Sequence, residues 1–319
     1  LLPEIVGELD PTRPYWPGSP WSGDHDTHPN EPSRGTMHIW DVWNQVDYTH
    51  YRDYRPRFVA EFGFQAPPAF ATLRRAISDE PLTPSSPGLA HHQKAIDGNL
   101  KLERGLADHL PVPRDFDDWH FLTQVNQARA IALGVEHFRA LRPYCMGSVV
   151  WQLNDCWPVT SWSAIDGDGR RKPLWHALRR SYADRLLTVE PRASVTTPLP
   201  PDLVTPGDPS AELIVVTAGP DRALWFFAED RDITFPAPRY ETEVTAVDGG
   251  YDVTVTAGTV LRDLTLQADR LDPAAVVDTA LVTLLPGETT TFRVRTDATL
   301  DAAGLTARPV LRCVNDVRP

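Results

Sequence analysis

Positive charge, cysteine and long apolar runs are all scarce in this chain, and each shortage removes a class of function. Lys and Arg number 31 against 43 Asp and Glu, a formal charge of −12. Nucleic-acid affinity rests largely on basic side chains that displace counterions from phosphate, so a nucleic-acid partner is not expected. No apolar stretch approaches the roughly 18 residues a membrane span needs, so no membrane partner is expected either. The N-terminal residues LLPEIVGELDPTRP lack a basic region, an apolar core and a small-residue cleavage site. No signal peptide is visible there, and a soluble protein, with the cytoplasm slightly favoured, is the reading of its location. Three cysteines, Cys145, Cys156 and Cys313, cannot build a disulfide framework, and their spacing fits no zinc motif. They read as buried thiols, and neither a metal nor a cofactor is implied.

Tryptophan, by contrast, is plentiful. There are ten, eight of them between Trp16 and Trp162. Aromatic faces that stack on sugar rings are one explanation of such a count, and ordinary core filling is the other.

The composition changes near residue 190. Before it, apolar runs alternate with helical spacing; after it come short Val- and Thr-rich runs separated by Pro, Gly and Asp. In the first part the spacing predicts a helix over Leu1–Leu9, a short strand over Gly35–Asp41, a helix over Val46–Tyr54 and a buried strand over Arg57–Phe62 (RFVAEF). A long Pro- and Gly-rich connection over 66–119 follows, then a helix over His120–Leu141 ended by Pro143. A second buried strand is expected over Met146–Leu153 and a helix over Pro173–Leu187. Strand–helix alternation suggests successive units of a (β/α) barrel, whose functional residues sit at the C-terminal ends of strands. In the second part Tyr251–Ala257, Leu261–Ala268 and Thr289–Arg295 alternate with period two, with a Leu285–Gly287 turn before the last, as in an all-β, immunoglobulin-like sandwich.

Two strand ends carry chemistry. Glu61 closes an apolar strand, where a carboxylate is costly to bury without partners and is therefore either paired or functional. The run Trp151-Gln152-Leu153-Asn154-Asp155-Cys156-Trp157-Pro158 sets an aromatic beside amides and a carboxylate, which suits a sugar or a packed polar network equally. The Asp24, His25, Asp26, His28 group and the His91-His92 pair lie in loops without the spacing that converges metal ligands.

These segments resemble the β-mannosidases of glycoside hydrolase family two. The likeness lies in Leu9–Trp16 (LDPTRPYW), Met37–Trp43 (MHIWDVW), Phe58–Gln65 (FVAEFGFQ), Trp151–Pro158 and the LPGE turn at Leu285–Glu288. The resemblance implies a retaining double displacement in which Glu61 is the nucleophile and forms a covalent mannosyl intermediate. It implies that Trp151 lines the subsite of the terminal mannose and that His38, Trp40 and Trp43 belong to a loop near the site entrance. Asn154 and Asp155 either bind sugar hydroxyls or order the strand end. The implied partner is a β-mannoside oligosaccharide or glycan. Sister activities in the same family (β-galactosidase, β-glucuronidase, exo-glucosaminidase) and a catalytically incomplete carbohydrate-binding fragment are the alternatives.

The departure from the family is an absence. The acid/base glutamate of the family follows an asparagine at the end of an earlier barrel strand, and no such strand precedes Leu1. Asn30-Glu31 is the one Asn-Glu pair, but it lies in a Pro-rich loop, so Glu31 is not expected to be the acid. A whole barrel takes roughly 250 residues. Residues 1–189 are therefore read as the C-terminal half of a TIM-barrel catalytic domain, 190–240 as a linker or reduced sandwich segment, and 241–319 as the accessory sandwich. The missing N-terminal half of the same enzyme is a further expected partner.

Overall fold

In the computed structural model, which describes residues 1–189 and 199–317, the chain divides into two compact units. One comprises residues 1–63 and 133–151; the other comprises the described residues of 64–132, 152–191 and 197–319. Residues 190–198, the start of the expected linker segment, lie outside the described residues.

The first unit is built on a three-stranded parallel sheet, β1 (Met37–Ile39), β2 (Val59–Phe62) and β3 (Ser148–Val150), in the order β1-β2-β3. Parallel strands buried on both faces read as continuous apolar runs, which is why RFVAEF was legible as one. Val59 and Phe62 are fully buried, and Phe62 meets Tyr51 and Phe138 edge-on at centroid separations of 5.5 and 5.4 Å. β3 departs from expectation: it is only partly buried, and Val149 is 51% exposed. Among the described strands β2 is its one neighbour. The Val46–Tyr54 helix is instead a 3₁₀ helix over Tyr48–Asp53. Its three-residue repeat stacks Tyr48 and Tyr51 on one side, and both are buried. Asp47 caps it by accepting the Thr49 N–H at 2.9 Å.

In the second unit the long 66–119 connection contains three short helices, Phe70–Ala76, Pro87–His91 and Gly98–Ala107. The predicted long helix runs over Phe116–Ala140, with residues 116–132 in this unit and 133–140 in the first, and two acidic residues in its first turn, Asp117 and Asp118, suit its N-terminal dipole. The helix Pro173–Ser181 opens on proline and stops six residues sooner than its spacing suggests. The segment after residue 199 holds a hairpin, β4 (Leu213–Ala218) with β5 (Asp221–Phe226). Beyond it, β6 (Tyr240–Val247), β7 (Gly250–Ala257), β8 (Leu261–Leu266), β9 (Val276–Val277), β10 (Val282–Leu284), β11 (Thr289–Arg295) and β12 (Leu311–Arg312) form two antiparallel sheets. Their orders are β6-β7-β11-β9 and β10-β8-β12, and one apolar core containing Val253, Val255, Leu264, Phe292 and Leu311 draws on both. The period-two alternation is realised on β11, where Phe292 and Val294 are buried and their neighbours Thr291, Arg293 and Arg295 are exposed. Ion pairs join this part to the long helix. Arg129 reaches Asp263 and Asp230 at 2.6 Å each, and Arg312 reaches Asp118 at 2.6 Å. Burial raises the Asp263 carboxyl, but the Arg129 and Arg262 charges prevail and hold it below its usual range.

Among the described residues no helix is long and apolar enough to cross a membrane.

Candidate active site

The parallel register sets His38 directly opposite Glu61. Cross-strand partners lie close enough for their side chains to meet, so the pairing of β1 with β2 creates the site. Two side chains then converge on one oxygen of Glu61. Trp40 Nε1 donates to Oε2 at 3.1 Å, and His38 Nδ1 stands 3.4 Å from the same atom. Trp40 reaches back because the chain turns immediately after β1: it is the N-cap of the short helix Asp41–Asn44. The carboxylate keeps 29% of its side-chain surface exposed, against 15% for His38, so it is held from one side and open on the other.

His38 is itself anchored at three points. The Asn30 side chain pairs with its backbone as a strand would: Oδ1 accepts the His38 N–H at 2.6 Å and Nδ2 donates to the His38 carbonyl at 2.8 Å. On the ring, Nε2 lies 2.8 Å from the Ser19 hydroxyl. The loop that carries Ser19 is tied down next to β1, where Trp21 and Thr36 exchange backbone hydrogen bonds of 3.3 and 2.9 Å. Gly35 permits that approach. Its φ is +53°, and a Cβ there would fall 2.0 Å from the Trp21 carbonyl oxygen.

Trp151 follows β3 and donates its backbone N–H to the Phe62 carbonyl at 2.8 Å, placing it at the end of the strand beside the one that carries Glu61. Its side chain is 43% exposed, large for a tryptophan. Trp43 differs: at 1% exposure it packs in the core of this unit. Glu31 is solvent-exposed and accepts from Ser33 Oγ at 2.8 Å; those hydrogen bonds lower its pKa, the opposite of what a general acid needs.

Asn154 and Asp155 lie in the other unit. The Asp155 carboxylate is fully buried and accepts from the hydroxyls of Ser161 and Ser163, from Gln152 Nε2 at 3.2 Å and from Lys94 Nζ at 3.4 Å. Asn154 Nδ2 donates to the Asp155 carbonyl at 3.2 Å, and its backbone bridges to Ile165. These partners match the strand-ordering alternative of the two readings for this pair. Among the described residues no cluster of three or more His, Cys, Asp or Glu side chains is placed to hold a metal.

The geometry is thus a carboxylate held on one oxygen near a parallel strand's C-terminal end, with an exposed tryptophan just after the next strand. Proteins named beta-mannosidase B from Neosartorya fischeri and Aspergillus flavus are 37% and 36% identical over 186 residues, 56% of this chain. A crystal structure of the beta-D-mannosidase from Dictyoglomus thermophilum superposes with a TM-score of 0.81 at 27% identity, covering 95% of this chain. Its relatives are β-mannosidases. The chain matches 22% of the length of each fungal β-mannosidase and 43% of the Dictyoglomus β-mannosidase, so it spans well under half of the relatives it resembles. An exo-chitosanase from Amycolatopsis orientalis, 16% identical with a TM-score of 0.54 over 83% of this chain and 43% of its own, shares the fold. No protein-family model matches the chain.

The resemblance to β-mannosidases pointed to His38 and Trp40 as a loop near the entrance; the structure sets both against Glu61. Ser19 and Asn30 escaped the sequence reading. They lie 19 and 8 residues before His38, at spacings with no periodic meaning, and only the folded loop brings them to it.

Proposed function

We propose that this chain is the nucleophile-bearing part of a retaining β-mannosidase of glycoside hydrolase family two. It would act on terminal, non-reducing β-D-mannose through a covalent intermediate on Glu61, with the acid/base glutamate outside the chain. The observation that carries the reading is the clamped Glu61 carboxylate, with Trp40 Nε1 on Oε2 and the other oxygen accepting no hydrogen bond from the described residues. A nucleophilic carboxylate has to be oriented and accessible on its attacking oxygen, and the clamp on Oε2 supports both. Trp151 supplies an exposed aromatic face for a sugar ring, His38 and Trp40 position the nucleophile, and Trp43 supports them from the core. For Asn154 and Asp155, the buried Asp155 carboxylate and its Ser161 and Ser163 partners support the ordering role. Residues 1–189 are assigned as the second half of a (β/α)8 barrel, and 241–319 as an immunoglobulin-like accessory sandwich, which the two antiparallel sheets over a common core support.

The test uses the full-length protein that contains this chain. It is treated with a 2-deoxy-2-fluoromannosyl fluoride, digested and mapped, and its turnover of 4-nitrophenyl β-mannoside is compared with that of Glu61→Gln. A label on Glu61 and loss of turnover in the variant are expected. Turnover of a β-galactoside, β-glucuronide or β-glucosaminide in place of the mannoside would keep the nucleophile and replace the substrate; a label elsewhere would sink the reading.

A further inference from the structure

Among the described residues two side chains make polar contacts with the Glu61 carboxylate, and one of them has a polar partner of its own. Ser19 Oγ lies 2.8 Å from His38 Nε2, and His38 Nδ1 lies 3.4 Å from Glu61 Oε2, so hydroxyl, imidazole and carboxylate stand in series. The two ring nitrogens of a neutral imidazole have opposite roles, and the partner of one decides the role of the other. We propose that Ser19 is a positioning residue. Its hydroxyl donates to Nε2, which fixes His38 as the Nδ1–H tautomer, and that N–H is thereby aimed at Glu61 Oε2.

The inference rests on Glu61 being the nucleophile, and it adds a consequence that reading does not contain. Trp40 Nε1 donates to Oε2 and His38 Nδ1 stands 3.4 Å from the same atom, a contact and not yet a hydrogen bond, so Oε1, which takes no hydrogen bond from the described residues, is the one that attacks. With a mannosyl fluoride the bookkeeping is closed. An Oε1 lone pair forms the bond to the anomeric carbon as the C–F bond breaks, and fluoride leaves with its electron pair, so no proton is needed. Apo contacts of this kind are often long and shorten in the substrate complex, and the 3.4 Å His38 contact fits that behaviour. The Asn30 side chain on the His38 backbone and the Trp21–Thr36 pairing beside β1 hold ring and serine in place before substrate arrives. Were Ser19 merely a surface residue, it would have no reason to face the one imidazole nitrogen turned away from Glu61.

The experiment measures inactivation of the full-length protein by the 2-deoxy-2-fluoromannosyl fluoride, separating the rate constant at saturation from the half-saturating concentration. Ser19→Ala is expected to slow the saturated rate by about 3–10-fold, the range of one neutral hydrogen bond, without moving the half-saturating concentration. His38→Phe is expected to lose at least as much. The double variant is expected to be no slower than His38→Phe alone, because Ser19 acts only through the ring. Ser19→Thr, which keeps the hydroxyl, should recover most of the Ala loss. A label on Glu61 with Ser19→Ala reacting at the wild-type rate overturns the relay alone, as do losses that multiply in the double variant. If His38→Phe does not fold, a Thr variant no faster than the Ala variant overturns it by itself. A label on another residue overturns the nucleophile and the relay together.

Discussion

Lys172 offers a quantitative test of how this fold tolerates charge. Its side chain is fully buried, and Nζ donates to the carbonyls of Ala66 at 3.0 Å and Ser161 at 3.3 Å. Neither carbonyl depends on it, because Ala66 and Ser161 already exchange backbone hydrogen bonds of 3.0 and 3.2 Å. Burial disfavours the ammonium and pulls its pKa from 10.5 to about 7, although the Asp155 and Asp166 charges act in the opposite direction. The unfolded chain therefore binds a proton that the native chain does not between pH 7 and 10.5. Stability rises with pH across that window, and the full cost of the buried amine is present below pH 7. At about 1.4 kcal/mol per tenfold change in proton affinity, that cost is on the order of 5 kcal/mol. Lys172→Met keeps the volume, leaves no carbonyl unsatisfied and removes the cost. Guanidinium unfolding of both proteins at pH 6, 7.5 and 9 compares them across the window in which Lys172 titrates. The variant's advantage should shrink by roughly 1.4 kcal/mol per pH unit above pH 7. An advantage independent of pH would refute the reasoning.

Further outcomes follow from the site and from the ion pairs. Trp40→Phe removes a donor to a charged oxygen, worth about 1.5–3 kcal/mol, so kcat on an aryl β-mannoside should fall by about 10–100-fold with little change in KM. A change confined to KM would contradict the clamp. Gly35→Ala forces a Cβ to 2.0 Å from the Trp21 carbonyl at a φ of +53°, and should separate the loop from β1. Hydrogen exchange at the Thr36 amide should accelerate and activity should fall; unchanged protection would refute it. Arg312→Met strips the buried Asp118 carboxylate of its 2.6 Å, fully buried partner and leaves two more exposed ones, Arg114 at 2.7 Å and Arg308 at 3.5 Å. A loss of about 3 kcal/mol in unfolding free energy is expected, largely recovered by adding Asp118→Leu. Equal stability of the single variant and wild type would show that Arg114 and Arg308 suffice.

Local patterns carried much of the fold. RFVAEF declared itself a parallel strand because both of its faces are buried, and β11 declared itself by alternation because one face is wet. The long helix was legible from its length, and its start moved to Phe116 because the acidic first turn, which precedes the apolar spacing, is part of it. The helix expected over Val46–Tyr54 is a 3₁₀ helix over Tyr48–Asp53, since apolar spacing of three residues suits either helix type over so short a run. Met146–Leu153 looked buried because it is apolar; how many strands flank it is a property of the sheet and not of the segment.

The sequence by itself determined that Glu61 and Trp151 end strands and that the chain resembles β-mannosidases, since strand periodicity and motif identity are local. Tertiary structure alone decided that His38 faces Glu61, that Trp43 is sealed in the core while Trp40 binds the carboxylate, and that Ser19 and Asn30 belong to the site at all. Those facts depend on the register between two strands and on a loop folded back over one of them. Hydrogen bonds between residues far apart in the chain leave no periodic trace in either segment.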